Sequence, residues 1–332
     1  MFKYYKILFF NSMILGSLLA ISSYSWFSMW AGLEINLLSI IPLLNDSKSL
    51  YPTESALKYF ISQALASAIF LFSIMMILNF KEIFFLKTNL LIFYSSLLIK
   101  MGAAPFHFWF PEVIEGLNWM NCLIILTWQK VAPLTILLNF FKSSMFFISV
   151  IIFSALIGGI LGFNQISMRK ILAYSSINHM AWMISSMFSF NYIWFIYFTI
   201  YSMISINIIL ILNKFLIYKI NQIPSISKKK LMFFFYMLNF LSLGGLPPFL
   251  GFFPKWLVIH FLNINNQMIL GIILIICTLL TIYFYLRLTF FGLTFFYSMT
   301  NKNFIDIPFI FIWSNFLSLS GLIFSTFLFN LS

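Results

Sequence analysis

The sequence is poor in charged residues, and in acidic residues most of all. Charged residues make up 8% of the 332-residue chain, and Asp and Glu together number seven. Soluble globular domains carry about 25% charged residues, so this composition excludes a soluble enzyme. It leaves no room for a nucleotide-binding domain, an extramembrane catalytic domain or a long disordered tail.

Cysteine is nearly absent as well. Cys122 and Cys277 are the only two cysteines, and each lies within an apolar stretch. Because an iron–sulfur cluster needs about four thiolate ligands, the chain cannot hold such a cluster alone. Two isolated cysteines also give no basis for a disulfide framework.

Hydrophobic residues dominate instead, at 62% of the chain. A helix needs about 20 apolar residues to cross a bilayer, and in lipid a single segment satisfies its own backbone groups only as a helix. The sequence therefore predicts an all-α polytopic membrane protein with about eleven transmembrane helices. The eleven apolar segments are residues 7–22, 26–44, 57–80, 88–110, 119–141, 144–165, 170–190, 192–218, 231–262, 267–293 and 305–330. We interpret the first as a retained helix and not as a signal or transit peptide.

The basic residues between these segments predict the orientation in the membrane. They are scattered between apolar runs and form no continuous basic face, so the net charge of +12 does not indicate nucleic-acid binding. The N-terminus and the joints after the even-numbered segments carry twelve Lys or Arg, whereas the opposite joints carry three, Lys81, Lys87 and Lys142. Basic loops stay on the cytoplasm-like side, so we expect the N-terminus there and the C-terminus on the other side.

A short internal repeat marks two of the segments. Residues 105–111 read PFHFWFP and residues 248–254 read PFLGFFP, an offset of 143 residues that also aligns Gly102 with Gly245. The two copies lie five segments apart, so they cross the membrane in opposite directions, as in the inverted repeats of many transporters. We expect one membrane domain, residues 1–332, with repeats at 1–143 and 144–293 and a final transmembrane helix in 294–332.

Glycine and proline within the two copies predict a break in each helix. The breaks fall at residues 101–105 and 244–248, which read MGAAP and GGLPP. Proline removes a backbone donor, and a broken helix exposes carbonyls that are tolerated at membrane depth only inside protein or beside a hydrated cavity. An ordinary packing kink would explain one such break, but two in matching positions favour a site that handles ions.

Four ionisable residues lie within or beside these features, namely Glu34, Lys100, Lys130 and Lys255. Each charge near the bilayer centre costs about 2.5–3.5 kcal/mol, which argues for a function. Burial favours the neutral amine whereas a nearby carboxylate favours the ammonium form, so a glutamate–lysine pair can act as a proton switch. We therefore predict that these residues translocate protons. Arg287 lies towards a segment end, where snorkelling to the interface is an equal alternative.

Histidine is the other natural proton relay. His179 lies in the middle of a segment beside Ser175, Ser176 and Asn178, and His107 lies within the first break. We predict both as candidate relays, with a satisfied core histidine as the alternative, equally favoured for His107. No residue pattern indicates a metal site or a bound cofactor.

Six motifs together resemble one protein family. They are residues 30–39 (WAGLEINLLS), 53–60 (TESALKYF), 100–109 (KMGAAPFHFW), 127–133 (TWQKVAP), 175–179 (SSINH) and 243–256 (LGGLPPFLGFFPKW). The chain resembles the antiporter-like subunits of mitochondrial NADH:ubiquinone oxidoreductase (respiratory complex I). Among them it resembles the shortened form found in animals. The likeness extends from about residue 26 to residue 293.

The resemblance implies a proton-pumping fold of two inverted five-helix repeats, each with a broken helix. Carried over position by position, Glu34 would pair with the pumping lysine Lys100. Lys130 would be the central relay lysine, and Lys255 the lysine of the second broken helix. The shortened form lacks three N-terminal helices of the bacterial relatives.

The resemblance also implies a location and partners. It places the chain in the mitochondrial inner membrane, with its N-terminus in the matrix and its C-terminus in the intermembrane space. Other membrane-arm subunits, including another antiporter-like subunit, and membrane lipids would be its partners. NADH, FMN, iron–sulfur clusters and ubiquinone would bind to other subunits, so this chain would carry no redox catalytic site. A free-standing cation/proton antiporter and a purely structural spacer are the alternatives.

Overall fold

The computed structural model describes residues 4–45, 50–79, 83–142, 144–189, 191–227, 230–294, 315–316, 318–319 and 321. Within these ranges the chain forms helices, and its only β-type pairing is an isolated bridge between Ser167 and Lys219. The prediction of an all-α membrane protein is therefore confirmed.

The chain divides into two compact units, residues 1–146 and 147–332. The first unit contains seven helices among its described residues: α1 (Tyr4–Ser22), α2 (Trp26–Leu44), α3 (Leu50–Asn79), α4 (Ile83–Met101), α5 (Trp109–Gly116), α6 (Trp119–Leu126) and α7 (Trp128–Asn139). The close packing of α1 on α2 depends on glycine. A Cβ at Gly32 would lie 2.6 Å from the backbone nitrogen of Ala20, so a larger residue there would push the two helices apart.

The second unit contains α8 (Met145–Phe163), which begins at the boundary, and six further α-helices among its described residues: α9 (Met168–Ser186), α10 (Asn191–Phe215), α11 (Pro224–Ser227), α12 (Lys230–Gly244), α13 (Phe252–Ile264) and α14 (Met268–Thr294). In α9 the residues from Ser175 to Ser186 are all buried. This polar helix therefore lies inside the unit, where its serines and its histidine are removed from lipid.

Seven stretches among the described residues are long and apolar enough to cross a membrane. They are residues 4–22, 26–44, 50–79, 119–139, 145–163, 192–215 and 268–293. The expected count of about eleven is not confirmed. The breaks divide two of the expected segments into shorter helices, α9 is too polar to qualify, and most of segment 305–330 lies outside the described residues.

The two breaks have the same backbone geometry. Helix α4 ends at Met101 and α12 at Gly244, and each is followed by a glycine in the left-handed region, Gly102 at φ 71° and Gly245 at φ 77°. Each glycine amide donates to the carbonyl three residues earlier, at 3.1 and 3.0 Å, and the next amide donates to the carbonyl five residues earlier, at 3.1 and 3.4 Å. This is a Schellman cap, which glycine forms without steric cost. The predicted breaks are confirmed, and residues 143 positions apart in the two breaks make equivalent backbone hydrogen bonds.

A third interruption, which the sequence did not predict, divides the expected segment 119–141. Helix α6 ends at Leu126 and α7 begins at Trp128. The Thr127 hydroxyl donates to the Leu123 carbonyl at 2.7 Å, a bond that bends helices. Pro133 lies one turn further along α7 and has no amide hydrogen to donate to the carbonyl of Gln129. Lys130 therefore lies in a locally irregular part of the helix.

Candidate functional site

Lys100 lies in the last turn of the first broken helix and lines a small cavity. The residue is 7% exposed, and the cavity has a volume of about 10 Å³. A cation is favoured in the last turn because the carbonyl end of a helix is negative. The cavity is lined by Lys100 together with Leu33, Asn36, Leu37, Tyr59, Gln63, Gln129 and Pro133. Lys100 is thus the one charged residue in this lining, and the rest is apolar or neutral.

A hydrogen-bonded polar network surrounds the cavity. Gln63 Nε2 donates to the carbonyl of Lys100 at 3.1 Å, which satisfies one of the last carbonyls of α4. The Tyr59 hydroxyl donates to Gln129 Oε1 at 3.3 Å, and Gln129 Nε2 donates to Asn36 Oδ1 at 2.8 Å. The network therefore joins α2, α3, α4 and α7 around the Lys100 cavity.

Glu34 lies on α2 and is half-buried. Its neighbours Leu33 and Asn36 line the Lys100 cavity, whereas Glu34 does not. Its carboxylate is nevertheless close enough to Lys100 for a coulombic interaction. The structure thus brings the two predicted partners into electrostatic range, and the predicted switch between them stays a prediction.

Lys130 is buried in α7 with 2% exposure, and its Nζ lies 5.0 Å from the centroid of the Phe110 ring. An aromatic face attracts an ammonium group, so Phe110 can stabilise the charged form inside the protein. Phe110 in turn packs against the first break, since a Cβ at Gly102 would lie 2.9 Å from its ring. The first break and Lys130 are therefore linked through one aromatic side chain.

Lys255 lies in the first turn of α13 and reaches back to the second break. Its Nζ donates to the carbonyls of Gly244 at 2.7 Å and Leu243 at 3.3 Å, and lies 5.8 Å from the Trp182 ring centroid. The ammonium group thus occupies the negative carbonyl end of α12. Lys100 and Lys255 are not equivalent at the 143-residue offset, yet each places a buried amine at the end of a broken helix.

His179 lies beside a second cavity, also of about 10 Å³, in the second unit. Its Nδ1 forms a hydrogen bond of 2.9 Å with the Tyr197 hydroxyl, and the Tyr201 ring centroid lies 5.0 Å away. Ser242 and Leu243 of the second broken helix line the same cavity. His179 and the second broken helix therefore line the same cavity, and the relay role of His179 stays a prediction.

Two other predicted residues make simpler contacts. His107 Nδ1 lies 3.3 Å from the carbonyl of Pro105, within the first break. The Arg287 guanidinium donates to the carbonyl of Gln165 at 2.8 Å, just beyond the end of α8. Arg287 thus satisfies a carbonyl near a helix end, where a cation is stabilising.

The family model of the transmembrane region of NADH:quinone oxidoreductases and Mrp antiporters matches residues 23–281. The chain belongs to the NADH:quinone oxidoreductase/Mrp antiporter family. The predicted family resemblance is therefore confirmed.

Named relatives place the chain more closely within the NADH:quinone oxidoreductase/Mrp antiporter family. It is 50% identical to NADH-ubiquinone oxidoreductase chain 2 of Anopheles gambiae over 291 residues, which cover 85% of this chain and 84% of the relative. It is 38% identical to the protein of the same name from Lemur catta, over 88% of this chain and 87% of that one. The chain is therefore an antiporter-like membrane subunit of the NADH:ubiquinone oxidoreductase type.

Solved structures agree with this fold. A chain of respiratory complex I from Thermus thermophilus with bound aureothin matches with a TM-score of 0.84 and 24% identity, over 98% of this chain and 77% of that chain. A chain of the archaeal membrane-bound sulfane sulfur reductase matches with a TM-score of 0.83 and 15% identity, over 97% and 73%. These similarities support the family fold.

Sequence reasoning missed the neutral polar residues around Lys100. Asn36, Tyr59 and Gln63 are each less than 5% exposed, and Gln129 completes the network. A signal for them exists in the sequence, because an amide side chain inside a long apolar segment needs a hydrogen-bond partner. In this family member the partners are the other amides and the carbonyl end of α4.

Gly245, the glycine of the second break, lies so close to Lys255 that a larger residue would clash with the lysine side chain. A Cβ at Gly245 would lie 2.7 Å from the Lys255 Cδ and 3.0 Å from its Nζ, at a left-handed φ of 77°. Gly245→Ala should therefore displace the lysine from its two carbonyls. We expect it to lower stability by about 1–2 kcal/mol from the backbone alone, measurable as thermal unfolding of the assembled complex.

Gly271→Ala is the matched control for this change. Gly271 lies in α14 of the same unit, and the nearest atom to its Cβ would be 4.0 Å away. Alanine should be neutral or slightly stabilising there, because it favours the helix by about 1 kcal/mol over glycine. Equal thermal stability of the two variants would contradict a constrained packing at Gly245.

Proposed function

We propose that this chain translocates protons across the mitochondrial inner membrane as an antiporter-like subunit of respiratory complex I. The observation that carries the proposal is the position of its buried lysines. Lys100 lies in the last turn of the first broken helix, and Lys255 binds the carbonyl end of the second. Burying an amine in a membrane-spanning segment costs free energy, so the presence of these lysines argues for a function.

Proton uptake and release at such lysines follow from their surroundings. Burial favours the neutral amine, and the carbonyl end of a broken helix or a nearby carboxylate favours the ammonium. A small movement of either group therefore changes the number of bound protons. Glu34, which interacts electrostatically with Lys100, is the group that we assign to this switch in the first unit.

The remaining titratable residues supply further carriers. Lys130, buried against Phe110, is proposed as the relay lysine that receives protons in the first unit. His179, hydrogen-bonded to Tyr197, is proposed as a relay beside the second broken helix. His107 is proposed as an accessory relay in the first break, where it lies against a backbone carbonyl.

The energy for this movement would come from partners. We propose that NADH, FMN, iron–sulfur clusters and ubiquinone bind to other subunits, and that this chain carries no redox site. Other membrane-arm subunits, including another antiporter-like subunit, would contact its lipid-facing helices together with membrane lipids. The solved relatives that share its fold come from multisubunit membrane complexes, which supports this arrangement.

Reconstitution in liposomes tests the proposed function. Assembled complex should form a pH gradient when it oxidises NADH, and replacing sodium by choline should leave that gradient unchanged. The purified chain alone should exchange no sodium for protons. Sodium–proton exchange by the chain alone would favour a free-standing antiporter instead.

The orientation is a separate prediction of the charge count. The N-terminus and the basic joint at residues 228–230 should face the matrix, and Ser332 the intermembrane space. Protease added to mitoplasts reaches only the outer face, so it should spare this joint. Cleavage there in intact mitoplasts, with a matrix protein protected as the control, would overturn the orientation.

A further inference from the structure

The cavity beside Lys100 is lined by neutral polar groups to which the proposed switch assigns no role. Its volume of about 10 Å³ is close to the space that one buried water molecule occupies. A buried water also needs about two to four polar partners. Asn36, Tyr59, Gln63, Gln129 and Lys100 itself supply polar groups in the lining.

The orientation of the Gln63 amide follows from its partner. Gln63 Nε2 lies 3.1 Å from the carbonyl of Lys100, and a main-chain carbonyl can only accept. The nitrogen must therefore face the carbonyl, which leaves Gln63 Oε1 as an acceptor. Gln63 is 4% exposed, so this oxygen needs a donor within the protein or a bound water.

The other amides form a chain of fixed direction. The Tyr59 hydroxyl donates to Gln129 Oε1, and Gln129 Nε2 donates to Asn36 Oδ1. Because the Asn36 oxygen accepts, the Asn36 nitrogen remains as the donor at the end of the chain. The lining thus offers a donor from Asn36, an acceptor from Gln63 and the amine of Lys100.

We propose that this cavity holds one ordered water, and that Gln63, Gln129 and Asn36 are positioning residues that orient it toward the Lys100 amine. The inference rests on the proposed function and assigns the final proton transfer to Lys100 to this water. When a proton is transferred to this water, the water becomes a hydronium ion. One of its O–H bonds then breaks as an N–H bond forms on neutral Lys100, so the same single water remains in the cavity and both atoms and charge balance.

Uncharged amides suit this role because they hold a water without competing for the proton. Gln and Asn side chains donate and accept hydrogen bonds but do not titrate in the physiological range. Helix cohesion is the competing explanation, since amides also join membrane helices. The chain offers a matched example of cohesion alone in Asn121 of α6, whose Nδ2 donates to the carbonyl of Leu43 on α2 at 3.2 Å and which is not in the cavity lining.

A density map of the assembled complex in which buried waters are visible tests the water directly. We expect one peak in the cavity within hydrogen-bond distance of Lys100 Nζ and of the amides of Gln63 and Asn36. A cavity filled by a side chain or a lipid tail would overturn the inference. So would an empty cavity in a map that shows comparable waters elsewhere.

Variants test whether the amides act on proton transfer. Gln63→Met and Gln129→Met keep the side-chain length but remove the hydrogen bonds, and should each slow pH-gradient formation by about tenfold. Asn121→Leu should assemble and pump at the normal rate. Gln63→His retains a hydrogen-bond donor and an acceptor, so it should pump faster than Gln63→Met. If Gln63 served only in packing, the larger histidine ring would give no such advantage.

Lys100→Met separates this inference from the function on which it rests. If Lys100→Met impairs pumping and both glutamine variants pump normally, the positioning role is wrong and the proposed function stands. If Lys100→Met also pumps normally, the proposed function itself is wrong. A uniform loss in the glutamine variants and in Asn121→Leu would indicate helix cohesion and overturn the inference.

Discussion

Lys130→Arg should block proton pumping about as severely as Lys130→Met. Lys130 is 2% exposed in α7, and its amine lies 5.0 Å from the Phe110 ring centroid. A relay must lose its proton in each cycle, and an arginine side chain does not deprotonate in proteins. Arginine should therefore trap the charge while it retains the cation–aromatic contact, so assembly should be less affected than in Lys130→Met.

The measurement is pH-gradient formation by reconstituted complex, normalised to the amount of assembled complex. Lys58→Arg is the control for the same substitution in the same unit. Lys58 is exposed and pairs with Glu54 and Glu112 at 3.1 Å, contacts that arginine can keep. Wild-type pumping by Lys130→Arg would show that Lys130 acts through its fixed charge alone.

Glu34→Gln should impair pumping far more than assembly. Glutamine keeps the size of the side chain but removes the carboxylate, which interacts electrostatically with Lys100. An opposite charge near a buried amine changes its protonation equilibrium by about tenfold or more. Without the Glu34 carboxylate, movement of this side chain should no longer change the protonation of Lys100. We expect a similar loss of about tenfold in the initial rate of pH-gradient formation.

Glu54→Gln provides the control for removing a carboxylate from the same unit. Glu54 is exposed and forms a surface ion pair with Lys58, which contributes at most about 1 kcal/mol. Its replacement should leave pumping unchanged. The switch would be ruled out if structures of several catalytic states kept the Glu34 and Lys100 charges more than about 10 Å apart without a polar link between them.

The helix breaks could be predicted because their cause is local. Glycine and proline act on the backbone of their own segment, so residues 101–105 and 244–248 predicted both breaks without knowledge of the packing. The buried charges could be predicted for a similar reason. Lys100, Lys130 and Lys255 stand out in apolar segments, and all three are buried.

The hydrogen-bond partners around these charges could not be predicted from residue types because they depend on how each helix is rotated. The apolar segments are hydrophobic on nearly every face, so their periodicity does not indicate which face meets which neighbour. The pairing of Gln129 with Asn36 and of Gln63 with the Lys100 carbonyl appears only after packing. Residue types also do not indicate that Lys255 donates to backbone carbonyls.

The interruption at Thr127 illustrates a weaker local signal. Threonine within a helix often points to solvent or packs normally, and its bond to the Leu123 carbonyl depends on its rotamer. Pro133 removes one backbone donor within α7 and by itself does not indicate a break at Thr127. The two together place Lys130 and Gln129 in an irregular stretch, which sequence reasoning treated as one continuous helix.

Proton pumping by complex that carries Lys100→Met tests the role of this chain most directly. Lys100 is buried beside the water-sized cavity at the first break, and methionine fits its volume without an ionisable group. The quantity to measure is the pH gradient formed by reconstituted complex for a fixed amount of assembled enzyme. We expect normal assembly with a strongly reduced gradient. A gradient equal to that of the wild-type complex would contradict proton translocation through Lys100, because the chain would then act as a structural spacer.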